Sequence, residues 1–393
     1  MKAIVNTKLI LEEGIIWDGV VLYEDDKILQ LGEASEITIP EGTECIDAQG
    51  LYTAPGLINV HVHGCNGVHI CNDPLACAKY LLARGETSVL ATMSLTFTKE
   101  QMIETGRKLR EIKSELPGRI FEGIHMEGPY MNGITGGQTQ LKWPRERGIR
   151  KEDYIPLVQE NKDLLKMWAV DPDREGIEEF LAYAKENVPG IVFSYGHSTA
   201  SMARCKEVRH YGFKNRTHIT DSGQTKGRAQ GVPAGSGDHF AICDPDMYAE
   251  MICDVNGIHV EPEMMKFILA TNGVHRTILI SDGVGYDKNY PPNKEVGVVY
   301  GPDLNYDVRG YLCGSRLTLH EGVRNVMHHT GYGLCHAIRM ASLTPAQMLG
   351  IDHKVGSLKP GKKANMILID DMVHVKKVIF EGELVAENGN LII

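Results

Sequence analysis

The sequence is poor in the features that would place a protein in a membrane or on a nucleic acid. It has no uninterrupted run of about 18 apolar residues, the length that a membrane-spanning helix needs. Its 51 acidic residues outnumber its 41 basic ones, and the formal net charge of −10 argues against a general binder of nucleic acids or anionic membranes. The first residues, MKAIVNTKLILEEG, contain no apolar signal segment, so no secretory leader is expected. We therefore predict neither a membrane partner nor a nucleic-acid partner.

Cysteine occurs nine times but never in the C-x-x-C spacing that is common in metal and redox motifs. The odd number and the scattered positions predict reduced thiols in a cytoplasmic protein rather than a disulfide framework. Internal repeats and low-complexity segments are absent as well. With 393 residues, of which 42% are hydrophobic and 23% charged, the sequence is typical of a globular protein that can bury a large core.

Short apolar runs alternate with helical patterns through the middle of the chain. The clearest helix spans 98–116, where Thr98 and Gln101 form a candidate capping box. Eight strands alternating with helices predict an α/β protein of parallel βα units, and eight is the number that closes a (β/α)8, or TIM, barrel. A Gly-rich stretch, 226–249, reads as an irregular insertion. The predicted strands are 57–62, 87–92, 119–126, 166–170, 191–196, 214–219, 250–254 and 277–281. The other predicted helices are 74–84, 150–165, 173–187, 199–211, 262–271 and 316–331.

The two ends of the chain share a pattern of apolar and turn residues that differs from the pattern in the middle. Residues 1–53 and residues 352–393 both consist of short apolar runs separated by glycine and acidic turns, which is typical of strands. We therefore expect one small β-sandwich domain assembled from both chain termini. The barrel, as the catalytic domain, then spans residues 54–351.

Residues of metal-ligand type stand at the ends of five predicted strands. In a (β/α)8 barrel the catalytic groups come from the C-terminal strand ends, so we expect these side chains to converge. Imidazole and carboxylate together suit zinc, iron, cobalt or manganese. The six residues are His61 and His63 after the first strand, Glu127 after the third, His197 after the fifth, His218 after the sixth and Asp282 after the eighth.

The spacing of His61 and His63 strengthens the metal interpretation. Residues i and i+2 of a strand point to one face, here the barrel interior, where unpaired polar groups are costly to bury. A single histidine at a strand end is more often a hydrogen-bonded rim residue. That alternative would require six such coincidences at one level of the barrel. His125, two residues before Glu127, shares its face and is expected behind the ligands.

Eight motifs follow one another in an order that resembles the amidohydrolase superfamily and, within it, the N-acetylglucosamine-6-phosphate deacetylases. The likeness covers nearly the whole chain. It implies a metal-dependent (β/α)8 barrel with a small β-sandwich built from both chain ends. The motifs are PGLINVHVHG, GIHMEGPY, GHSTA, THITDSG, NGIHVEP, ISDG, GYLCGSRLTL and TPAQMLGIDHKVGSLKPGKKANMILID.

The resemblance assigns roles to the residues at the strand ends. It implies a principal metal held by Glu127, His197 and His218, and a second metal, present in some members, held by a pair of histidines. Asp282 matches the catalytic aspartate at the metal centre. One or two divalent cations per subunit are therefore expected, zinc first, with iron, manganese or cobalt as alternatives. The matching pair here is His61 and His63.

The resemblance also implies a set of substrate-binding residues, in which this sequence departs from the family at two points. His259 and Arg228 match substrate contacts, and the arginine comes from a neighbouring subunit, which implies a homodimer. The backbone around Leu312 and Cys313 corresponds to a segment that lines the sugar. Where the family has a histidine that polarises the acetamide, the nearest residue is Thr139, and where an Asn and the next amide bind phosphate, the sequence has Asp221 and Ser222.

The resemblance implies that the protein removes the acetyl group from an N-acetylated amino sugar by metal-activated hydroxide. The expected substrate is N-acetylglucosamine-6-phosphate or an epimer. Because a carboxylate at position 221 repels a phosphate dianion, a non-phosphorylated N-acyl or cyclic amide substrate is the alternative. A third interpretation is a barrel that binds a sugar without catalytic activity. It does not account for the retention of all six metal-type residues.

Overall fold

The computed structural model describes residues 1–94, 97–132, 147–221, 228–229, 232–285, 298–300, 303–306 and 310–393; for 228–229, 232–233 and 298–300 it describes the backbone alone. Among these residues no helix is both long enough and apolar enough to span a membrane. Two large sheets organise the molecule, one made by the middle of the chain and one by its two ends.

The middle of the chain forms the predicted (β/α)8 barrel. All eight predicted strands are present, and neighbouring strands pair in parallel in sequence order. Backbone hydrogen bonds close the ring between the first and last strands, since Asp282 N donates to His61 O (3.0 Å) and His63 N to Gly283 O (2.7 Å). Barrel strands 1 to 8 are Leu57–Val62, Glu86–Met93, Phe121–Glu127, Leu165–Val170, Val192–Tyr195, Phe213–Arg216, Tyr248–Ile252 and Thr277–Ile280.

A helix follows each barrel strand, and the main apolar core lies between strands and helices. The capping box of Thr98 and Gln101 is confirmed at the start of α2. This helix ends at Glu111 and continues only as a 3-10 turn, Ile112–Ser114, after which Glu115 is extended, so the predicted helix is shorter than 98–116. The helices are α1 Pro74–Leu82, α2 Lys99–Glu111, α3 Lys151–Asn161, α4 Ile177–Asn187, α5 Met202–Val208, α6 Gly237–Cys243, α7 Pro262–Asn272, α8 Leu319–Thr330, α9 Leu334–Met340 and α10 Leu343–Leu349; further 3-10 turns are Pro117–Ile120 and Arg209–Tyr211.

Both chain ends contribute to a second sheet of nine strands. It is one continuous hydrogen-bonded sheet, in which Tyr52–Pro55 pairs with Met366–Ile369 and thereby joins the two termini. A separate apolar cluster buries residues from both ends, Ile4 and Met366 among them. The division of the chain at residues 53/54 and 351/352 stays a prediction. The strands are Lys2–Ile10, Ile15–Glu24, Lys27–Glu33, Glu44–Asp47, Tyr52–Pro55, Met366–Ile369, Val375–Phe380, Glu383–Glu387 and Asn390–Leu391.

Seven short strands outside the two large sheets form two pairs and one three-stranded sheet in the described part of the chain. The stretch 226–249, which reads as irregular in the sequence, contains one of these pairs and helix α6, so that interpretation is wrong for its second half. Ser236 and His239 cap α6, a signal that the glycines around it obscured. The short strands are Gly64–Cys65, Val68–His69, Arg228–Ala229, Val232–Pro233, Val298–Tyr300, Leu304–Tyr306 and Leu312–Ser315.

A buried arginine holds the ends of barrel strands 5 and 6. Arg216 is 1% exposed; its Nε donates to Asp238 Oδ1 at 2.5 Å and its Nη1 to Tyr195 O at 2.8 Å. The same nitrogen also donates to Thr217 O. Tyr195 precedes His197 by two residues and Thr217 precedes His218 by one, so this guanidinium fixes the backbone from which both histidines project.

Replacing this guanidinium is expected to destabilise the fold strongly. Arg216→Met removes the donors to the Asp238 carboxylate and to Thr217 O, and it leaves Tyr195 O with only the Thr217 amide as donor; such a loss costs about 3–5 kcal/mol for a buried pair. The measurement is the free energy of unfolding in urea. The matched control is Arg107→Met, which should cost less than about 1 kcal/mol, because the exposed Arg107 side chain makes long surface ion pairs of 3.7 and 3.9 Å with described residues. Equal losses in the two variants would contradict the role of Arg216.

Candidate metal centre

Four imidazoles and two carboxylates meet at the C-terminal end of the barrel. They are buried or nearly so, and each lies at or just beyond the end of its strand, as the sequence predicts. The convergence joins strands 1, 3, 5, 6 and 8, so no local segment of the chain could produce it alone. The six residues are His61, His63, Glu127, His197, His218 and Asp282.

Glu127 lies at the centre of this group. Its Oε1 is 2.9 Å from His197 Nε2 and 3.0 Å from His218 Nε2. Its Oε2 is 3.2 Å from His63 Nε2. One carboxylate therefore faces imidazoles on both of its oxygens. Such a carboxylate could contribute a ligand atom to each of two cations.

Asp282 closes the group on the side of the histidine pair. Its Oδ1 is 3.5 Å from His61 Nε2 and 3.3 Å from His63 Nε2. His61 Nε2 is also 3.7 Å from Glu127 Oε1. Two ligand atoms bound at 2.0–2.1 Å to one tetrahedral zinc lie about 3.3 Å apart. The observed separations are of that order.

The donor atoms form two groups that share Glu127. One group is His61, His63 and Glu127; the other is Glu127, His197 and His218; in each, the possible ligand atoms lie within 4.8 Å of one another. Among the described residues, the buried Nε2 of His61 has no hydrogen-bond partner. A buried nitrogen left in this state, next to two carboxylates, fits a divalent cation, for which imidazole and carboxylate are suitable ligands.

The electrostatics of the group favour positive charge. Burial by itself would raise the pKa of Glu127, but the charge on His61 and the hydrogen bonds from His197 and His218 hold that pKa well below 4.5. Burial by itself would lower the pKa of His63, because it disfavours the charged imidazolium. The contacts of His63 with Asp282 and Glu127 instead raise this pKa to about 9. Both carboxylates are thus ionised, and the histidine nitrogens beside them attract either a proton or a cation.

The backbone is strained where three of these side chains project. His197, His218 and Asp282 have φ values of 45°, 26° and 46°, in the left-handed region that non-glycine residues seldom adopt. Each residue comes two positions after the end of its strand. Such outliers cost about 1–3 kcal/mol each and cluster at functional sites. The turn directs each side chain back over the barrel instead of letting the strand continue.

A further polar layer behind these residues was missed by the sequence analysis. Glu250, in the middle of barrel strand 7, contacts His61 Nδ1 at 2.9 Å and accepts a hydrogen bond from Asn215 Nδ2 at 2.7 Å. Asn59 lies two residues before His61, and its side-chain oxygen accepts from the His61 amide at 3.2 Å. One signal was available: Glu250 is a single acid inside the apolar run YAEMIC. His125 is buried here too, with Nδ1 3.0 Å from a carbonyl of strand 1.

The predicted substrate residues are placed only in part. His259 is buried, and its Nδ1 lies 3.1 Å from Asp254 Oδ2, a partner that the sequence analysis did not single out. Asp221 follows strand 6 and has its Oδ2 3.7 Å from His218 Nδ1. Leu312 and Cys313 form part of a half-buried strand that leads to Ser315, which hydrogen bonds with the Asp282 backbone. Thr139 and Ser222 lie outside the described residues, and of Arg228 only the backbone, in its short strand, is described.

Comparison with known sequences agrees with this architecture. The profile of the amidohydrolase family matches residues 168–385, more than half of the chain. The N-acetylglucosamine-6-phosphate deacetylase of Haemophilus influenzae is 26% identical over 388 residues, which cover 94% of this chain and 97% of that protein. The N-acetylgalactosamine-6-phosphate deacetylase of Escherichia coli O157:H7 is 28% identical over 386 residues, with 96% and 97% covered.

Comparison with solved structures supports the fold. The crystal structure of N-acetylglucosamine-6-phosphate deacetylase from Pasteurella multocida superposes with a TM-score of 0.84 at 24% identity, covering 98% of this chain and 99% of that one. This agreement confirms the fold class predicted from the alternating strands and helices. The chain therefore belongs to the amidohydrolase family, and the relatives described here, which it matches over nearly its whole length, are deacetylases of amino-sugar phosphates like those its motifs resemble.

Proposed function

We propose that this protein is a metal-dependent hydrolase that removes the acetyl group from an N-acetylated amino sugar, with N-acetylglucosamine-6-phosphate or an epimer as its substrate. The observation that carries the proposal is the position of Glu127, a buried carboxylate shared by two groups of possible metal ligands. Full-length relatives named as deacetylases of N-acetylglucosamine-6-phosphate and N-acetylgalactosamine-6-phosphate support the choice of substrate.

In this proposal Glu127, His197 and His218 hold one divalent cation, and Glu127 with His61 and His63 holds a second. Zinc is our first choice because the donor set is imidazole with carboxylate; iron, manganese and cobalt accept the same set. When bound, such a cation lowers the pKa of water towards 7 and polarises an amide carbonyl. The residues of the chain supply the fixed positions and the proton transfer.

Asp282 is the proposed acid and base. Burial would raise the pKa of its carboxyl, but the charge on His61 and the contact with His63 hold that pKa below 3.8, so the group is ionised and ready to accept a proton. Its Oδ1 lies 3.5 Å from His61 Nε2 and 3.3 Å from His63 Nε2, so it could accept a proton from a water molecule held beside that pair. Asp282 takes a proton from this water and then returns it to the nitrogen of the departing amine.

Two further features of the proposal follow from the resemblance. A homodimer is proposed because Arg228 matches an arginine that reaches into the site of the neighbouring subunit. His259 is proposed to bind the substrate because it matches a residue that contacts the substrate in the family. Its buried ring contacts Asp254. The cytoplasmic location stays a prediction from the cysteine pattern.

Asp221 favours a second candidate substrate, an N-acyl compound or cyclic amide without phosphate. The resemblance places residue 221 at the phosphate of the substrate, and its carboxylate is only partly exposed, with a side-chain exposure of 24%. Two negative charges about 4 Å apart repel each other by about 1–4 kcal/mol, depending on how much water lies between them. A cation of the chain must offset this repulsion if the substrate carries phosphate.

The test is hydrolysis of a substrate panel by protein reconstituted with zinc, manganese or iron, followed through the amine that is released. We expect kcat/KM for the 6-phosphates of N-acetylglucosamine or N-acetylgalactosamine to exceed that for the unphosphorylated sugars by about 10²-fold or more, since a site built for a polar group rejects analogues that lack it. Faster hydrolysis of unphosphorylated amides would favour the second candidate. No hydrolysis with any metal would support a silent barrel.

A matched variant separates the two substrate classes in the same assay. If residue 221 faces a phosphate, Asp221→Asn should lower KM for phosphorylated sugars by about 10-fold and leave unphosphorylated substrates unchanged. An equal effect on both classes would show that Asp221 does not face the phosphate.

Asp282→Asn is expected to reduce kcat by about 10²–10⁴-fold, because an amide cannot accept the proton of water. The variant retains an oxygen at the same position, so its metal content, measured by elemental analysis, should equal that of the wild-type protein. Turnover close to that of the wild type would remove Asp282 from its proposed role.

Glu127→Ala is expected to remove most of the bound metal, since both groups of possible ligands lose their common carboxylate. Elemental analysis after dialysis against metal-free buffer measures the loss. Glu122→Ala is the matched control: it lies on the same strand, but its carboxylate contacts Lys354 at 2.7 Å, away from the histidines. Full metal occupancy in Glu127→Ala would contradict the ligand assignment.

A further inference from the structure

Glu250 is a buried carboxylate that the proposed reaction does not use. It occupies the middle of barrel strand 7, it is 0% exposed, and its neighbours on the strand are apolar. An isolated ionised carboxylate in such a position would cost several kcal/mol, so its presence requires partners that satisfy both of its oxygens. Those partners connect it to the candidate metal centre.

The contacts of Glu250 reach two strands that carry possible metal ligands. Its Oε2 is 2.9 Å from His61 Nδ1 on strand 1 and 3.4 Å from the His218 amide after strand 6. Its Oε1 accepts from Asn215 Nδ2 at 2.7 Å, and Asn215 in turn donates to Ser194 Oγ at 3.0 Å. The carboxylate is thus held on both sides and has little freedom to turn away from His61.

The hydrogen bond with Glu250 assigns the tautomer of His61. An ionised carboxylate can only accept, so His61 Nδ1 must carry the proton of this bond. A neutral imidazole then presents a lone pair at Nε2, the atom that lies 3.5 Å from Asp282 and 3.7 Å from Glu127. Glu250 therefore prepares His61 Nε2 as a metal ligand.

The other histidine of the pair lacks such support. His63 Nδ1 is buried and, within the described residues, has no hydrogen-bond partner. The Nδ1 side of the pair is therefore held by a carboxylate at His61, whereas His63 contacts carboxylates through Nε2. Carboxylates behind metal-bound histidines orient the ring and raise its basicity, and their removal commonly weakens metal affinity 10- to 100-fold.

We propose that Glu250 is a positioning residue that acts through His61: it fixes the ring and its Nδ1–H tautomer, and thereby sets the affinity of the group of His61, His63 and Glu127 for a divalent cation. The inference rests on the proposed function for the presence of that cation. It adds a residue that touches neither the substrate nor the metal.

The experiment is zinc titration of the metal-free full-length protein against a chelating fluorophore, with elemental analysis for stoichiometry. The wild-type protein should bind two zinc ions. Glu250→Gln should weaken one of them about 10-fold and Glu250→Met about 100-fold, while the ion on Glu127, His197 and His218 keeps its affinity. Unchanged affinity for both ions in a folded Glu250→Met protein would overturn the proposal.

Two controls separate positioning from a general loss of structure. Glu86→Gln changes an equally buried barrel carboxylate. It accepts from Asn59 Nδ2 at 2.8 Å and, among the residues that the structure describes, contacts no proposed ligand, so both affinities should stay the same. In a His61→Asn background, Glu250→Gln should have no further effect on zinc affinity, because its route to the metal is gone. An undiminished effect there would overturn the proposal.

The outcomes also distinguish this inference from the proposed function. A wild-type protein that binds no zinc and hydrolyses no substrate would remove the proposed function itself. A zinc ion located by anomalous scattering between His61 Nδ1, His125 and Glu250, whose possible ligand atoms also lie within 4.8 Å, would make Glu250 a ligand and overturn its positioning role.

Discussion

The candidate site depends on keeping Glu127 ionised inside the barrel. A charged carboxylate without compensation is too costly to bury, and here four imidazoles surround it. Without a cation, the compensation comes from protons, which is why the pKa of His63 rises to about 9. A cation needs the same lone pairs. Protons and metal therefore compete for these nitrogens, and metal binding must release protons.

The rest of the barrel holds the carboxylates and imidazoles of the candidate site at short distances from one another. His197, His218 and Asp282 remain in left-handed backbone conformations, each of which costs about 1–3 kcal/mol. The surrounding contacts must outweigh this strain. Arg216 does so for strands 5 and 6, and the hydrogen bonds between strands 1 and 8 do so for Asp282. The strained backbone at the site is therefore maintained by the buried contacts beneath it.

The sequence predicted the barrel and the convergence of the six side chains because both follow from simple rules. Eight apolar runs imply parallel strands, and parallel strands bring their C-terminal ends together. The same rules did not predict a role for Glu250, because they consider only strand ends. Glu250 lies in the middle of its strand and contacts His61 across the barrel. Helix α6 was not predicted because its capping residues follow a glycine-rich stretch. Backbone strain depends on tertiary contacts and has no local pattern.

In the proposed function, chemistry and substrate recognition depend on different parts of this chain. The possible metal ligands stand at strand ends that the barrel fixes, and the layer of Glu250 and Asn215 behind them is fixed as well. Of the two departures from the pattern that the motifs resemble, Asp221 follows barrel strand 6, and Thr139 lies outside the described residues. Loops can change without disturbing the barrel, since few core contacts depend on them. The residues proposed to bind metal are therefore fixed by the barrel, whereas Asp221, proposed to select the amide, follows a strand and can change independently of it.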